Sequence, residues 1–235
     1  MSDGLAAQLL DAARAPDITQ NAFVQGIAEG RHPKTALRDY ARELAALAGN
    51  LPSVLARLYS HCDDDRARRV LLENLLEETG VASYDSSAGL VIAPHRIHVG
   101  MAARFLRATG ADATDMTSRA SGEWLTGELD RGRWLGPFAY VCVGIEANVP
   151  RAFRLLFAGL RAHYGFSDED LEFFTEHFIA DEKHGALGAG VAAAAAGTDA
   201  LRQEAFRGAR RGALAFWHLH QRHARRARSA GAASG

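Results

Sequence analysis

One segment near the carboxyl end combines two histidines and an aspartate at helical spacing. In TEHFIADEKHG, His177, Asp181 and His184 occupy positions i, i+4 and i+7. At about 100° per residue, these side chains share one face of a helix over two turns. Imidazole suits iron, zinc and copper, whereas a carboxylate suits harder metals that prefer oxygen ligands. The spacing predicts a metal-binding face; buried histidines held by the aspartate, or a solvated face, are the structural alternatives.

Glutamates and histidines earlier in the chain could reach the same site. NLLEETG places Glu77 and Glu78 in a helix rich in leucine, so at least one of the two carboxylates must lie near its buried face. A buried carboxylate is costly unless it is paired or bound to a cation. PHRIHVGMAARF adds His95 and His98 near a helix start. The residues alone leave both choices open, Glu77 or Glu78 and His95 or His98.

Glu146 stands alone in an apolar segment. It is the only charged residue between Arg133 and Arg151, within YVCVGIEANVP. An isolated carboxylate in such surroundings needs a partner. A metal ion is the most economical partner, and a buried ion pair with Arg154 is the alternative.

Helices must position these side chains, because the periodicity is helical almost throughout. We predict helices over about 35–48, 51–60, 64–79, 95–110, 112–129, 136–164, 168–196 and 198–226. Pro52 and Pro150 should break or kink the helices that contain them. Residues 81–93 indicate a loop, and no alternating strand pattern of useful length or hairpin turn signal is present. The predicted fold class is all-α, a single bundle of about seven to nine helices.

Composition narrows the class of protein. The chain has 235 residues, which favours one domain, predicted over residues 1–228 with a frayed tail at 229–235. A net charge of -1 gives no indication of nucleic acid or an anionic membrane as a partner. No apolar run is long enough to span a membrane, and the start does not resemble a secretory signal. Two cysteines cannot form a disulfide framework, so we expect a reducing, cytoplasmic location.

The last helix is strongly basic and also carries histidines. WHLHQRHARRARS contains His218, His220 and His223 between arginines. Positions i, i+2 and i+5 splay around a helix, so a shared metal site is not expected. The sequence predicts a solvated basic helix end or a weak anion-binding patch.

Four motifs together resemble a known family. NLLEETG, HVGMAARFLRATGAD, GIEANVPRAF and HFIADEKHG are similar to the haem-oxygenase-like di-iron oxidases, within the superfamily of TenA and the PQQ synthase. The resemblance covers about residues 20–190. The histidine-aspartate-histidine motif after an isolated glutamate is its most specific part. Ferritin-like di-iron bundles instead use a Glu-x-x-His motif twice, which this chain lacks.

The resemblance implies a particular set of ligands. Carried over position by position, the metal ligands are Glu78, His98, Glu146, His177, Asp181 and His184. The family pattern groups Glu78, His98, Asp181 and His184 on one iron and Glu146 with His177 on the other. Glu146 and His177 are thereby also implied in catalysis. Tyr40 or Glu43 could supply an additional ligand from an early helix, and the loop between Glu78 and His98 is longer than is usual in the family.

The same resemblance implies an activity. Two Fe(II) ions per chain would activate O2, the co-substrate, to oxidise a small metabolite in an apolar pocket. Amino acids, amines or fatty acids are the implied substrates, through N-oxygenation, desaturation or C–C cleavage. Arg151, Arg154 or Arg161 could bind a substrate carboxylate. A homodimer is also implied.

Rival functions exist on the same fold. A TenA-like thiaminase or hydrolase would use Cys142 as a nucleophile, activated by a lowered pKa. A haem protein would use His32 as the proximal ligand. An oxidase without a cofactor, similar to the PQQ synthase, and a metal-free helical interaction protein are the remaining alternatives.

Overall fold

The computed structural model describes residues 2–87, 89–112 and 123–232 and confirms the all-α fold class. Ten α-helices lie in this part of the chain: α1 (Ser2–Ala13), α2 (Ala22–Ala28), α3 (Lys34–His61), α4 (Asp65–Glu78), α5 (His98–Ala108), α6 (Glu123–Asp130), α7 (Leu135–Ala139), α8 (Val149–Tyr164), α9 (Glu172–Ala195) and α10 (Asp199–Ala232). The remaining elements are two 3₁₀ turns (Ile18–Gln20 and Pro94–Arg96), a π-helical segment (Tyr140–Ile145) and two strands, β1 (Val81–Asp85) and β2 (Gly89–Ile92).

Local sequence explains where several helices begin and end. Asp64 caps α4, since its carboxylate accepts hydrogen bonds from the backbone amides of Arg66 and Ala67. Asn21 caps α2 in the same way through the amide of Phe23. Gly165 ends α8 in the left-handed conformation, at φ 75°, which glycine adopts without a steric penalty.

The two prolines that were expected to interrupt helices differ from each other in their effect. The helix α3 continues through Pro52, because residues before and after it, among them Leu44 and Leu58, are buried in the bundle and hold the helix in place. Pro150 lies in the first turn of α8, where its missing amide hydrogen costs no helical hydrogen bond. The predicted helix over 136–164 is therefore divided into α7, the π-helical segment and α8.

The prediction of a loop over 81–93 is wrong. Strands β1 and β2 pair as an antiparallel hairpin, in which Tyr84 is opposite Leu90 and Asp85 is opposite Gly89. Gly89 adopts φ 80°, which allows the tight reversal. Most side chains of the two strands are exposed, so no burial alternation marked them in the sequence.

Two other predicted boundaries can be compared with the structure. The predicted helix at 112–129 falls partly on residues 113–122, outside the described part, and α6 occupies its end. The helix α10 extends to Ala232, past the expected start of the tail. None of the described helices has a stretch long and apolar enough to cross a membrane.

Very close helix packing holds the π-helical segment in place. A Cβ atom on Gly212 of α10 would lie 2.1 Å from the carbonyl oxygen of Tyr140, and one on Gly188 of α9 would lie 2.2 Å from that of Cys142. No side chain larger than hydrogen fits at either position. Both α9 and α10 thus approach the backbone that leads to Glu146.

Candidate metal centre

Three of the predicted ligands converge in the interior of the bundle. Glu78 is the last residue of α4, His98 is the first of α5, and His177 lies in the second turn of α9. Their candidate ligand atoms all lie within 4.8 Å of one another. His98 Nδ1 is 3.0 Å from Glu78 Oε1, and His177 Nε2 is 3.8 Å from the same oxygen. This spacing is compatible with one metal ion between the three side chains.

The orientation of His177 fixes which ring nitrogen is available. Its Nδ1 donates a 2.7 Å hydrogen bond to the carbonyl oxygen of Phe173, one turn earlier in α9. Nε2 therefore carries the lone pair in the neutral ring, and it faces Glu78. The rings of Phe173 and Phe153 lie 4.1 and 5.8 Å from the imidazole, measured between centroids, and provide an apolar wall.

A second pair of predicted ligands lies one turn further along α9. His184 Nδ1 is 3.3 Å from Oδ1 of Asp181, and His184 Nε2 is 3.3 Å from Oε2 of Glu77. Asp181 is buried, whereas 43% of the Glu77 side chain is exposed. The adjacent glutamates of α4 therefore contact different histidines of α9, Glu77 with His184 and Glu78 with His177.

Glu146 follows the π-helical segment directly. Its backbone amide donates to the carbonyl of Val141, five residues earlier, which is the π-helical pattern. Its Oε1 accepts a 2.7 Å hydrogen bond from Nδ2 of Asn74 in α4. Arg154, the predicted alternative partner, lies instead over the ring of Phe178, 5.2 Å from its centroid.

Several buried polar atoms at this centre lack a hydrogen-bond partner among the described residues. They are Oε2 of Glu78, Oε2 of Glu146 and Oδ1 of Asn74. Native proteins rarely leave such atoms unsatisfied, and each exception calls for an explanation such as a bound ion. Mixed imidazole and carboxylate donors are a suitable set for iron. The residues therefore fit a metal ion.

The carboxylates at the centre have opposite pKa shifts. Burial alone would raise the pKa of Glu78, but the imidazoles of His177 and His98 outweigh it and lower that pKa to about 2. Burial, reinforced by the negative charge of Asp181, raises the pKa of Glu146 well above its usual range. Contacts with Asp181 and Glu77 raise the pKa of His184 to about 10. This concentration of negative charge favours a cation between the helices.

Comparisons with known proteins agree with this site. A family model described as an iron-containing redox enzyme matches residues 38–217. The chain belongs to this iron-containing redox enzyme family. It is 27% identical over 177 residues to the 4-aminobenzoate synthase of Chlamydia trachomatis, covering 70% of this chain and 69% of that protein.

Solved structures show the fold of this family member. A TenA homologue from Pseudomonas syringae superposes with a TM-score of 0.72 at 13% identity, covering 94% of this chain and 93% of that one. A domain of unknown function with a haem oxygenase-like fold, from Shewanella denitrificans, gives a TM-score of 0.67 at 14% identity, over 95% and 90% of the two chains. The haem-oxygenase-like fold implied by the sequence resemblance is confirmed.

Distances within this candidate site favour a grouping different from the one that the resemblance implies. His177 is near Glu78 and His98, rather than forming a separate pair with Glu146. Asp181 and His184 pair with each other and with Glu77. Of the alternative histidines, His98 is buried and His95 is exposed.

The rival nucleophile and the rival haem ligand are in unsuitable surroundings. Cys142 is fully buried, and burial together with the neighbouring Glu146 raises the pKa of its thiol well above normal, the opposite of activation. The ring of His32 stacks on Phe23 at 5.0 Å, against Gly26, where a Cβ would lie 2.1 Å from His32 Nε2. Neither residue presents an accessible reactive atom, because the Cys142 thiol is fully buried and His32 Nε2 is buried against Gly26.

The possible early-helix ligands belong to a different buried cluster. Tyr40 OH lies 3.2 Å from His220 Nε2, and Glu43 lies 2.8 Å from His223 Nε2 and pairs with Arg222. The prediction of a solvated basic helix end is therefore wrong for His220 and His223, which are fully buried. They are three residues apart and share the face of α10 that packs on α3, whereas His218 points to solvent.

The arginines suggested for substrate binding are engaged elsewhere. Arg151 pairs with Asp17 at 2.6 Å, and Arg161 pairs with Asp168 at 3.2 Å. A different arginine, Arg96, lines a cavity of about 150 Å³ beside His98. Sequence reasoning did not single out Arg96, which lies in the predicted helix over 95–110, and it missed Asn74 because a neutral amide carries no charge signal.

Proposed function

We propose that the protein is a non-haem di-iron enzyme that uses O2 to oxidise a small metabolite. The observation that carries this proposal is the meeting of Glu78, His98 and His177 within 4.8 Å inside the bundle of an iron-family protein. Glu146, Asp181 and His184 supply enough further donors for a second ion. One iron would be held by the first three residues and the other by the last three, with Glu77 beside them.

The side chains around these ligands have definite tasks. Phe173 orients His177 through its carbonyl oxygen, so that Nε2 is presented as a ligand. Asn74 holds one oxygen of Glu146 and leaves the other free. Phe153 and Phe173 exclude water from the imidazole face. Bound Fe(II) would supply the electrons that reduce O2 and so provide the oxidant.

The relatives support the class of reaction more than the substrate. The similarity to 4-aminobenzoate synthases of Chlamydia is 27% identity or less in the matches described, which is compatible with a shared centre and a different substrate pocket. The substrate is proposed to be a small organic molecule with access to the cavity beside His98. We also propose a homodimer in a reducing, cytoplasmic environment, in keeping with the family resemblance and the unpaired cysteines.

Metal loading under anaerobic conditions tests the proposal. Purified protein would be loaded with Fe(II), freed of excess iron, assayed for iron per chain and then mixed with O2 while oxygen uptake and iron oxidation are followed. We expect about two irons per chain and rapid oxygen uptake. Formation of 4-aminobenzoate would be assayed in parallel, because it is the product named for the relatives.

Two variants provide the matched comparison. His98→Ala removes a buried candidate ligand, and His95→Ala removes an exposed histidine three residues away. The first is expected to lose iron and oxygen uptake, while the second keeps both. Iron binding equal in the two variants, or no iron-dependent oxygen uptake by the unaltered protein, would disprove the di-iron proposal.

A further inference from the structure

The outer face of α10 carries a long row of positive charge. From Ala205 to its end at Ala232, this helix contains seven arginines and no aspartate or glutamate. At about 100° per residue, six of the seven fall within an arc of about 120°, and they extend over about 30 Å of the helix. All six are exposed, and together they define the basic stripe: Arg207, Arg210, Arg211, Arg222, Arg225 and Arg228.

The rest of the chain has the opposite net charge. The whole sequence has 27 basic and 28 acidic residues, so that without the six arginines of the stripe 21 basic residues remain against 28 acidic ones, a net charge of -7. A basic stripe on an acidic body attracts a compact acidic partner to the stripe. The same body repels an extended polyanion, such as nucleic acid or an anionic membrane, which would approach more of the surface.

Much of the stripe is available to a partner. Within the described part of the chain, no ion pair joins Arg210, Arg225 or Arg228 to a carboxylate. Arg222 pairs with Glu43, yet 46% of its side chain remains exposed. Guanidinium groups that are solvated on a rigid helix can pair with carboxylates of another protein without first losing an internal contact. Leu214, midway along the stripe, adds an exposed apolar contact.

The inner side of the same helix is connected to the metal centre. Phe216 lies about 180° around α10 from Arg207 and packs against the buried core. Its ring is 6.4 Å from that of Phe153, and the ring of Phe153 is 5.8 Å from the imidazole of His177, measured between centroids. A series of ring contacts therefore joins the helix that carries the stripe to a candidate metal ligand.

The cavity beside His98 is less suitable for an acidic protein. Two carboxylates, those of Glu77 and Glu176, line it together with one arginine, Arg96. Negative charge at this place repels an acidic surface. A protein that docked there would also obstruct the proposed access of the substrate, whereas a protein on the outer face of α10 would leave it open.

We propose that the basic stripe is the docking surface for a small acidic electron-carrier protein. This inference rests on the proposed function: when O2 oxygenates a substrate and its second oxygen atom leaves as water, two electrons come from the substrate and two from the irons, which become Fe(III). Each docked carrier gives up one electron and leaves in its oxidised form, so two encounters return two Fe(III) to Fe(II). The arginines bind the carrier, and Phe216 and Phe153 lie between α10 and His177.

Binding of carriers that differ in charge tests the docking surface. A plant-type 2Fe–2S ferredoxin and a flavodoxin serve as acidic carriers, and cytochrome c serves as a basic one. Affinities would be measured by calorimetry on the protein as purified and on protein loaded with Zn²⁺, which has no redox chemistry. We expect micromolar binding of at least one acidic carrier at about 50 mM NaCl, a loss of about tenfold or more at about 500 mM NaCl, and no binding of cytochrome c.

Two double variants with the same change in net charge locate the surface. Arg210→Gln with Arg225→Gln should weaken binding of the acidic carrier about tenfold or more. Arg69→Gln with Arg107→Gln, at exposed positions on α4 and α5, is the matched control and should change the affinity about twofold or less. The proposal is overturned if neither acidic carrier binds, if the two double variants lose affinity equally, or if duplex DNA or phosphatidylserine vesicles bind more tightly than the carriers.

Electron transfer is measured separately from binding. Chemically reduced carrier would be mixed without O2 with protein that holds two Fe(III) per chain, and oxidation of the carrier followed by its visible absorption. We expect about two carriers oxidised per chain, and about tenfold slower oxidation with the Arg210→Gln, Arg225→Gln variant at low carrier concentration. Binding without electron transfer to this ferric protein would overturn the proposal.

The outcomes distinguish this inference from the proposed function. A protein that takes up no iron but binds an acidic carrier through the stripe would retain the docking surface and lose the di-iron function. A protein that holds iron and takes up oxygen but binds neither acidic carrier would retain the function and lose the docking surface.

Discussion

Asn74 donates a 2.7 Å hydrogen bond to Oε1 of Glu146, and both side chains are buried between α4 and the π-helical segment. The contact leaves Glu146 Oε2 without a partner among the residues described. A neutral donor satisfies one oxygen of an isolated carboxylate without cancelling its charge. The other oxygen is thereby left available to the proposed metal ion, in the manner of residues that orient metal ligands.

Asn74→Ala should therefore weaken the binding of one of the two proposed metal ions. Residues that orient a ligand commonly affect metal affinity by about ten- to a hundredfold, and we expect a change in this range for one ion only. Titration with Co²⁺ measures the affinity of each of the two sites, if the absorption spectrum is followed and the total metal per chain is determined in parallel. Glu73→Ala, on the exposed side of the same helix, is the control. Equal affinities in the two variants would show that Asn74 has no such role.

Helical periodicity was sufficient to predict the bundle and to place His177, Asp181 and His184 in one helix. The i, i+4, i+7 spacing of His177, Asp181 and His184 is a property of one helix, and α9 spans all three. The isolated charge of Glu146 in an apolar segment correctly indicated a buried position. These inferences depend on the helix period and on the cost of burying charge, and both are local properties.

Relationships between helices could not be predicted in this way. The pairing of His177 with Glu78, rather than with Glu146, depends on the rotation of α9 against α4. The π-helical segment before Glu146 adds a residue to the helical turn, and no periodic pattern reveals it. The hairpin was missed because its apolar side chains, including Tyr84 and Ile92, are exposed and do not alternate with polar residues.

Glu78→Gln should remove one metal ion more completely than Glu77→Gln. The neighbouring imidazoles lower the pKa of Glu78 to about 2, so this buried carboxylate is charged at neutral pH and attracts a cation, whereas Glu77 is partly exposed and contacts His184. We expect a loss of affinity on the order of a hundredfold for the first variant and about tenfold or less for the second. Equilibrium dialysis against Fe(II) under anaerobic conditions measures the metal affinity of both variants. The reverse order would contradict this assignment of the two glutamates.

His220 should make the protein less stable as the pH falls from about 7 towards 5. Burial lowers the pKa of His220 from 6.5 to about 4, so the unfolded state binds a proton that the folded state does not. Stability then rises with pH across this window, by up to about 2 kcal/mol between pH 5 and pH 7. Chemical denaturation at both pH values measures the difference in the free energy of unfolding.

The His220→Gln variant isolates that contribution. Glutamine can still accept a hydrogen bond from Tyr40 but has no proton to gain in this range. The other charged or titratable groups that face His220 are His223, Arg222 and Glu43. Although Glu43 is buried, His223 and Arg222 lower its pKa. The contribution of Glu43 to stability is therefore lost only at more acidic pH. The variant should show a flatter dependence on pH, and a slope equal to that of the unaltered protein would refute the role of His220.

Gly188 and Gly190 should respond to alanine in opposite directions. A Cβ atom at Gly188 would lie 2.2 Å from the carbonyl oxygen of Cys142, whereas one at Gly190 meets nothing within 4 Å. Gly188→Ala should destabilise the protein by about 2 kcal/mol or more, because backbone must move to admit the methyl group. Gly190→Ala should stabilise it by up to about 1 kcal/mol through helix propensity. Thermal unfolding of the metal-free variants and of the unaltered protein measures these changes in stability. Equal changes in the two variants would mean that α9 does not approach the π-helical segment so closely.

Cys62 and Cys142 should both resist alkylation in the folded protein. Both thiols are buried, and burial raises the pKa of each, so little reactive thiolate is present near neutral pH. With iodoacetamide at about pH 7.5, we expect labelling at least a hundredfold slower than for a free cysteine, and two labels per chain after unfolding in urea. Mass spectrometry counts the labels, and the Cys62→Ala variant shows whether a single label lies on Cys62 or on Cys142. Rapid labelling of Cys142 in the folded protein would instead support a role for that residue as a nucleophile. Retention of iron-dependent oxygen uptake by Cys142→Ala would show independently that the thiol takes no part in the reaction.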